Sequence, residues 1–172
     1  KDKSIKILDV GIGSGCILIS LLSELKKSSG IGIDISHKAL NIAKKNIKKH
    51  NLSEKIKLFK KSLSEIYQSK FDLIVSNPPY IETRTMRNLD DDIRRYEPLI
   101  ALDGGNDGLD VIKKLIYKAK YILKIRGKLA LEIGNEQLKK VSNILRNNNF
   151  KIEKNIKDYK DNTRCLVSTL IR

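Results

Sequence analysis

The chain has 172 residues, 40% of them hydrophobic and 32% charged, with a formal net charge of +15. That length suits one domain with a sizeable core, and no apolar run approaches the ~18 residues that a membrane-spanning helix requires. The positive excess comes from lysines spread along the whole chain, without arginine clusters or interleaved aromatics. It reads as solvated helix faces before it reads as a nucleic-acid footprint.

In chain order, the pattern alternates short apolar runs with helical periodicity. Ile5–Val10 (IKILDV) reads as a strand, and Gly15–Lys27 as a helix with apolar residues in a three-four rhythm. Gly30–Asp34 is a second strand. Ser36 is placed to cap the helix that runs from His37 to about His50. Lys55–Lys60 and Phe71–Ser76 are the third and fourth strands. A long irregular stretch from Pro78 to about Gly105 follows, with a short helix expected near Arg87–Arg95. Leu109–Leu123 is a helix, Gly127–Gly134 a fifth strand and Glu136–Arg146 a further helix. FKIEKNIKD and RCLVSTLIR close the chain as two strands joined by a polar turn.

Strands that alternate with helices imply an α/β fold, a parallel sheet covered on both faces. The terminal pair leaves no room for a crossover helix, so its strands must run antiparallel. The expected architecture is a doubly wound, seven-stranded, mostly parallel sheet with an antiparallel final strand. Cys16 and Cys165 fit no metal spacing and read as buried, reduced thiols of a cytosolic protein. No secretory signal is visible. The first residue is Lys1 and strand-like sequence begins at Ile5, so the natural start is expected to lie upstream.

Two stretches carry chemistry. In LDVGIGSG, Gly11, Gly13 and Gly15 follow the first strand and open the first helix. Such a turn brings backbone close to a ligand and offers the free N–H groups of a helix N-terminus. Asp34 ends the second strand at the distance expected of a carboxylate that accepts hydrogen bonds from ribose hydroxyls. A nucleoside cofactor is therefore expected. Cys16 stands where a dinucleotide fingerprint needs its third glycine. Read as Gly-x-Gly-x-Gly after Asp-Val, the loop resembles motif I of S-adenosylmethionine-dependent methyltransferases, whose loop packs against the methionine moiety.

The second stretch is FDLIVSNPPYIE. Its prolines cannot donate to a sheet ladder and stiffen what precedes them, so the strand ends at Ser76 or Asn77 in a rigid turn. In a doubly wound sheet, ligands sit beyond the carboxyl ends of the strands where strand order reverses. The first and fourth strands flank that crevice, so Asn77 faces the same cavity as Gly11–Gly15. Asn77–Tyr80 resembles motif IV of amino-methyltransferases, which act on planar nitrogens of adenine or glutamine. The Asn77 side-chain oxygen and the Pro78 carbonyl would each accept a hydrogen bond from a substrate NH2 group, and the Tyr80 ring would pack on its flat face. No strong general base is needed. The histidines, His37 and His50, lie in the second helix region and read as structural or exposed.

SNPPYI, YEPLIALDGGNDGLDVI (Tyr96–Ile112), LALEIGNEQ (Leu129–Gln137) and KDYKDNTRCL (Lys157–Leu166) together resemble the release-factor glutamine methyltransferases (HemK/PrmC type), over essentially all 172 residues. The resemblance implies a class I, Rossmann-like fold and S-adenosylmethionine as methyl donor, with S-adenosylhomocysteine as product. It implies methylation of the glutamine in the Gly-Gly-Gln motif of peptide chain release factors, in the cytoplasm, by a monomer of one catalytic domain spanning residues 1–172. On that resemblance Asp9, Gly11, Ile12, Gly13, Ser14 and Gly15 would line the methionine part of the cofactor. Asp34 would hold the ribose and Ser62 would contact the adenine. Asn77, Pro78, Pro79 and Tyr80 would hold the glutamine amide, with Glu97 in the wall of the site. Ile12 replaces a commoner Thr, and Lys61 and Ser62 stand where an acidic residue and a larger apolar or aromatic one are common. The family also carries a small helical domain ahead of the catalytic one, absent from this stretch. A catalytic domain alone is expected to bind cofactor and recognise its protein substrate weakly. Equal turnover with and without the helical domain would refute that. Asn-Pro-Pro-Tyr is shared with adenine methyltransferases of DNA or RNA, which form the alternative reading. A non-catalytic module binding acidic partners is a third. Asp90–Asp92 are consecutive and read as solvated, so no metal site is expected.

Overall fold

In a computed structural model of the chain, residues 3–67, 70–88 and 98–172 are described. Seven strands form one sheet: β1 (Lys6–Val10), β2 (Ser29–Asp34), β3 (Ile56–Lys60), β4 (Phe71–Ser76), β5 (Leu123–Glu132), β6 (Phe150–Lys157) and β7 (Thr163–Leu170). Their order across the sheet is β3-β2-β1-β4-β5-β7-β6. Pairings are parallel from β3 to β5, and β7 runs antiparallel to both β5 and β6. The expected single reversed strand is therefore present, inserted between β5 and β6. The turn that reverses it is held by Asp158, whose Oδ1 accepts from the Lys160 and Asn162 N–H groups.

Among the described residues, four α-helices cover the sheet: α1 (Cys16–Glu24), α2 (His37–Lys49), α3 (Asp110–Ile122) and α4 (Leu138–Asn147). Neighbouring residues of one strand project to opposite faces, and each face has its own core. Ile7 and Val75 pack with Leu18 and Leu22 of α1 and Leu40, Ala43 and Ile47 of α2. Leu8 and Ile74, each one step along the same strands, pack with Ile112, Leu115 and Ile116 of α3 and with Val141 and Leu145 of α4. The sheet is thus apolar on both sides, which is why β1 and β4 read as continuous apolar runs rather than as alternating ones.

Local chemistry sets the element ends. Gly15 caps α1 in the left-handed region (φ 84°), and no side chain caps that helix. The Ser36 hydroxyl accepts from Ala39 N–H at 3.2 Å and starts α2 as expected. β5 begins earlier than Gly127. Phe71 pairs with Leu123, but Leu73 pairs with Lys128, so the intervening residues of β5 bulge out of register. Arg126 in that bulge has φ 65°. The regular part of the strand starts where the sequence placed it. A 3₁₀ segment, Thr83–Asn88, ends where the short helix expected near Arg87–Arg95 would begin, and that helix itself lies almost wholly outside the described residues. Asp90–Asp92 and Glu97 also lie outside them. One expectation is corrected: Cys16 is exposed, and Cys165 only partly buried. Cys16 opens α1 directly after the glycine turn, on the outward side rather than on the face that Leu18 and Leu22 turn to the sheet.

Candidate functional site

The carboxyl ends of the strands finish nearly flush. Val10 is level with Ile33 of β2 and with Ser76 of β4. Ser76 is level with Leu131 of β5, and Glu132 with Cys165 of β7. The residues that follow these level positions are Gly11, Asp34 and Asn77, which therefore lie at neighbouring strand ends. The Ser76 hydroxyl donates to the Val10 carbonyl at 2.7 Å and fixes the ends of β1 and β4 to each other. Strand order reverses between β1 and β4. The two sequence stretches thus meet at the crevice where an open α/β sheet binds its ligands.

On the β1–β2 side, the glycine loop is pinned by its backbone. Gly11 and Ile12 N–H groups both donate to the Ile33 carbonyl, at 2.9 and 3.0 Å. Gly13 N–H donates to Asp34 Oδ2 at 3.0 Å, and Ser36 N–H to Asp34 Oδ1 at 2.8 Å. Ile12 is buried and fills the space over Gly32, where an added Cβ would lie 2.2 Å from its Cδ1. The branched apolar residue at the second position of the loop therefore serves the core. Gly11 has φ 68°, and a Cβ there would meet nothing within 4 Å. Open space borders the loop at that point. The Ser14 carbonyl accepts from Asn46 Nδ2 at 2.9 Å, tying the loop to α2.

Asp9, at 1% exposure, is the next-to-last residue of β1, two positions before the loop's first glycine, and its Oδ2 has no hydrogen-bond partner. Burial pushes its carboxyl up to about 7; a backbone hydrogen bond from Leu18 opposes the rise and the charge of Asp34 adds to it. A buried carboxyl without a partner, uncapped N–H groups at α1 and open space beside Gly11 suit a ligand that carries both cationic and hydrogen-bonding groups. The residues present therefore fit a cofactor with an amino-acid end and a nucleoside end. Ser62, just past β3, is engaged locally. Its N–H and its hydroxyl both donate to Glu65 Oε2, at 2.7 and 2.9 Å. Its side chain serves a capping box, and its carbonyl accepts from Glu65 N–H at 3.2 Å, so both its side chain and its backbone are engaged within the turn.

On the β4 side, Asn77 is exposed, Pro78 buried, and Pro79 and Tyr80 half-buried. The Tyr80 hydroxyl lies 3.5 Å from Glu132 Oε1 at the end of β5. Burial raises the Tyr80 pKa, and Glu132 raises it further, so the ring stays a neutral phenol. A cleft of about 370 Å³ opens beside Tyr80, bordered by Glu82, Asp107, Asn135, Lys140 and Arg164. The Leu102–Gly108 run wraps the chain that leaves Tyr80. Ile81 N–H donates to the Leu102 carbonyl and Gly104 N–H to the Ile81 carbonyl. The Thr83 hydroxyl bonds Asp103 at 2.7 Å. Added Cβ atoms at Gly104 and Gly108 would lie 2.8 Å from Tyr80 Cα and 2.4 Å from the Tyr80 carbonyl oxygen. Gly104, Gly108 and Gln137 were not singled out as site residues from the sequence. Their only signal was a Gly-Gly-x-Asp-Gly run and a Gln, and what they contact becomes evident only on folding.

Among the described residues, no cluster of three or more His, Cys, Asp or Glu side chains is arranged to hold a metal ion. No helix among them is long and apolar enough to cross a membrane.

The model of the methyltransferase small domain family matches residues 1–93. The release factor glutamine methyltransferase of Agrobacterium fabrum is 40% identical over 163 residues, covering 95% of this chain and 56% of that protein. A bifunctional methyltransferase of Rickettsia typhi is 42% identical over 161 residues, 93% of this chain and 31% of that protein. This chain therefore spans from about a third to just over half the length of these relatives. Among solved structures, the ribosomal protein L11 methylase of Lactobacillus delbrueckii subsp. bulgaricus matches with a TM-score of 0.71 at 23% identity, covering 99% of this chain and 72% of that one. That likeness shows the fold alone. A family model that matches more than half of the chain, both sequence stretches included, shows that the chain belongs to the methyltransferase small domain family.

Proposed function

We propose that this chain transfers a methyl group from S-adenosylmethionine to the side-chain amide nitrogen of the glutamine in the Gly-Gly-Gln motif of peptide chain release factors. The observation that carries the reading is the flush ending of β1, β2 and β4, which sets Gly11, Asp34 and Asn77 at neighbouring strand ends. The name of the Agrobacterium fabrum relative supports the choice of substrate.

Gly11, Gly13 and Gly15, with Asp9, Ile12 and Ser14 around them, would hold the methionine end of the cofactor. Asp34 would accept from the ribose hydroxyls, using lone pairs left free by Gly13 and Ser36 N–H. The segment around Ser62 would border the adenine. When bound, the cofactor supplies a methyl group on a positively charged sulfur, open to in-line displacement. A carboxamide nitrogen is a weak nucleophile, because its lone pair is delocalised into the carbonyl. The Asn77 side-chain oxygen and the Pro78 carbonyl would each accept an N–H of the substrate amide, turning the nitrogen and shifting electron density onto it. Orientation of this kind supplies several kcal/mol. Tyr80 and Pro79 would cover the flat face of the amide and exclude water. The acceptor nitrogen would lose its proton late, to water, once the methyl group has made it acidic, so no strong general base is required at the motif.

The test uses labelled S-adenosylmethionine with a release factor, or with adenine-containing DNA and RNA. Label should appear on the protein substrate. Asn77→Ala should lower the rate by about a hundredfold or more, the scale of removing one pre-organised hydrogen-bonding group. Label on nucleic acid alone would select the adenine reading, and none on either substrate would end both.

A further inference from the structure

Resting on that function, we propose that Gln137 is a positioning residue, which holds the amide-binding segment Asn77–Tyr80 in its working shape. The Gln137 carboxamide joins three separate pieces of chain. Its Nε2 donates to the Tyr80 carbonyl at 3.0 Å and to the Gly108 carbonyl at 3.1 Å. Its Oε1 accepts from Gly134 N–H at 2.9 Å. One side chain thus connects the end of Asn-Pro-Pro-Tyr, the loop before α3 and the end of β5.

The segment needs such help. Pro78 and Pro79 contribute no N–H, so the β4 ladder cannot continue through them. Beyond Ser76 the chain passes to bonds with the Leu102–Gly105 run only from Ile81 onward. Gln137 takes hold of the carbonyl in between. The packing around it is tight: Gly108, at φ 69° and with an added Cβ 2.4 Å from the Tyr80 carbonyl oxygen, has to be glycine, and Gly134 leaves little room for a side chain. A Cβ on Gly134 would lie 3.0 Å from Tyr80 Cδ2 and 3.1 Å from Gln137 Oε1. A Cβ on Gly108 would lie 2.9 Å from Gln137 Nε2. The preceding residue, Glu136, has φ 66°. That left-handed backbone is costly for a residue with a side chain, and it sits at the point where the chain turns to present Gln137.

Only a primary carboxamide of this length offers two N–H donors and one acceptor from a single planar group. A glutamate of the same shape would keep the acceptor but turn an oxygen toward two carbonyl oxygens. Protonation returns one O–H donor to it. That makes the role separable from general stability.

The experiment compares Gln137→Glu and Gln137→Ala with the parent protein. It reads kcat at saturating release factor across pH, adenosylhomocysteine affinity by calorimetry, and amide hydrogen exchange. Both variants should bind adenosylhomocysteine within about twofold of the parent, since Gln137 touches nothing in the Gly11–Gly15 loop, and kcat should fall by about tenfold or more. Exchange at Ile81 and Gly104 should quicken, while that at Gly11 and Ile12 stays put. The Gln137→Glu deficit should narrow as pH falls, and the Gln137→Ala deficit should not. Parent-like kcat and exchange in both variants would overturn the proposal. So would a loss of cofactor affinity and melting temperature in step with kcat, without recovery on acidification. If the parent itself transfers no methyl group to a release factor, the proposed function fails, and exchange at Ile81 and Gly104 still decides whether Gln137 holds the segment.

Discussion

Asp9 shows what a single residue contributes. Its folded carboxyl titrates at about 7 against an ordinary 3.8. Between those values the unfolded chain has released the proton and the folded chain still holds it, so stability falls as pH rises through the window and stays lower above it. The gap corresponds to about 4 kcal/mol at most. Asp9→Asn should therefore gain stability over the parent between pH 4 and 7, with the gain levelling off above, while its cofactor affinity falls. Denaturant unfolding at pH 4.5 and pH 8 checks the first part, and an equal difference at both values would refute it. The strand end and the glycine loop were legible around Asp9 from spacing. Its orphaned oxygen was not, because a missing partner is a property of three-dimensional neighbours. Ser62 is the complementary case: its position past β3 was legible, but its commitment to Glu65 depends on a turn whose sequence carries no apolar period.

At the scale of elements, α2 links stability to the site without merging the two. The Ser36 hydroxyl caps the helix, while the Ser36 N–H holds Asp34. Ser36→Ala removes the first and keeps the second. It should cost about 1 kcal/mol of unfolding free energy and leave adenosylhomocysteine affinity unchanged. Calorimetry together with denaturant unfolding reads both, and a matching loss of affinity would show that the cap and the carboxylate act as one unit. Element types were readable wherever apolar residues kept a clear period, as in α3, where Ile112, Leu115, Ile116 and Ala119 share the buried face. They were less readable where tertiary pairing decides. β5 extends back to Leu123 because Phe71 of β4 offers it a partner, across a bulge that no local pattern announces.

Over the whole molecule, two cores share one sheet. Neither can open without exposing the back of the other, so unfolding should be a single cooperative transition. The cofactor crevice lies at the seam where strand order reverses, so a bound ligand should stabilise the whole. Adenosylhomocysteine at one hundred times its Kd should add about 2.7 kcal/mol and raise Tm by roughly 5–10 °C. A shift absent in the parent but present for an unrelated nucleoside would count against the crevice. The mostly parallel sheet followed from alternation of strand and helix, and its antiparallel final strand from the short link between the last two strands. The glycine cradle around Tyr80 did not, because contacts between residues 80, 108 and 137 join distant parts of the chain.

Both margins of the sheet, β3 and β6, end in open hydrogen-bonding groups. Lys57 and Lys60 stand on one, and Lys151, Lys154 and Lys157 on the other. Repulsion between such borders discourages two molecules from zipping together strand to strand. Part of the surplus of lysine thus guards solubility, a task that calls for no anionic partner at all.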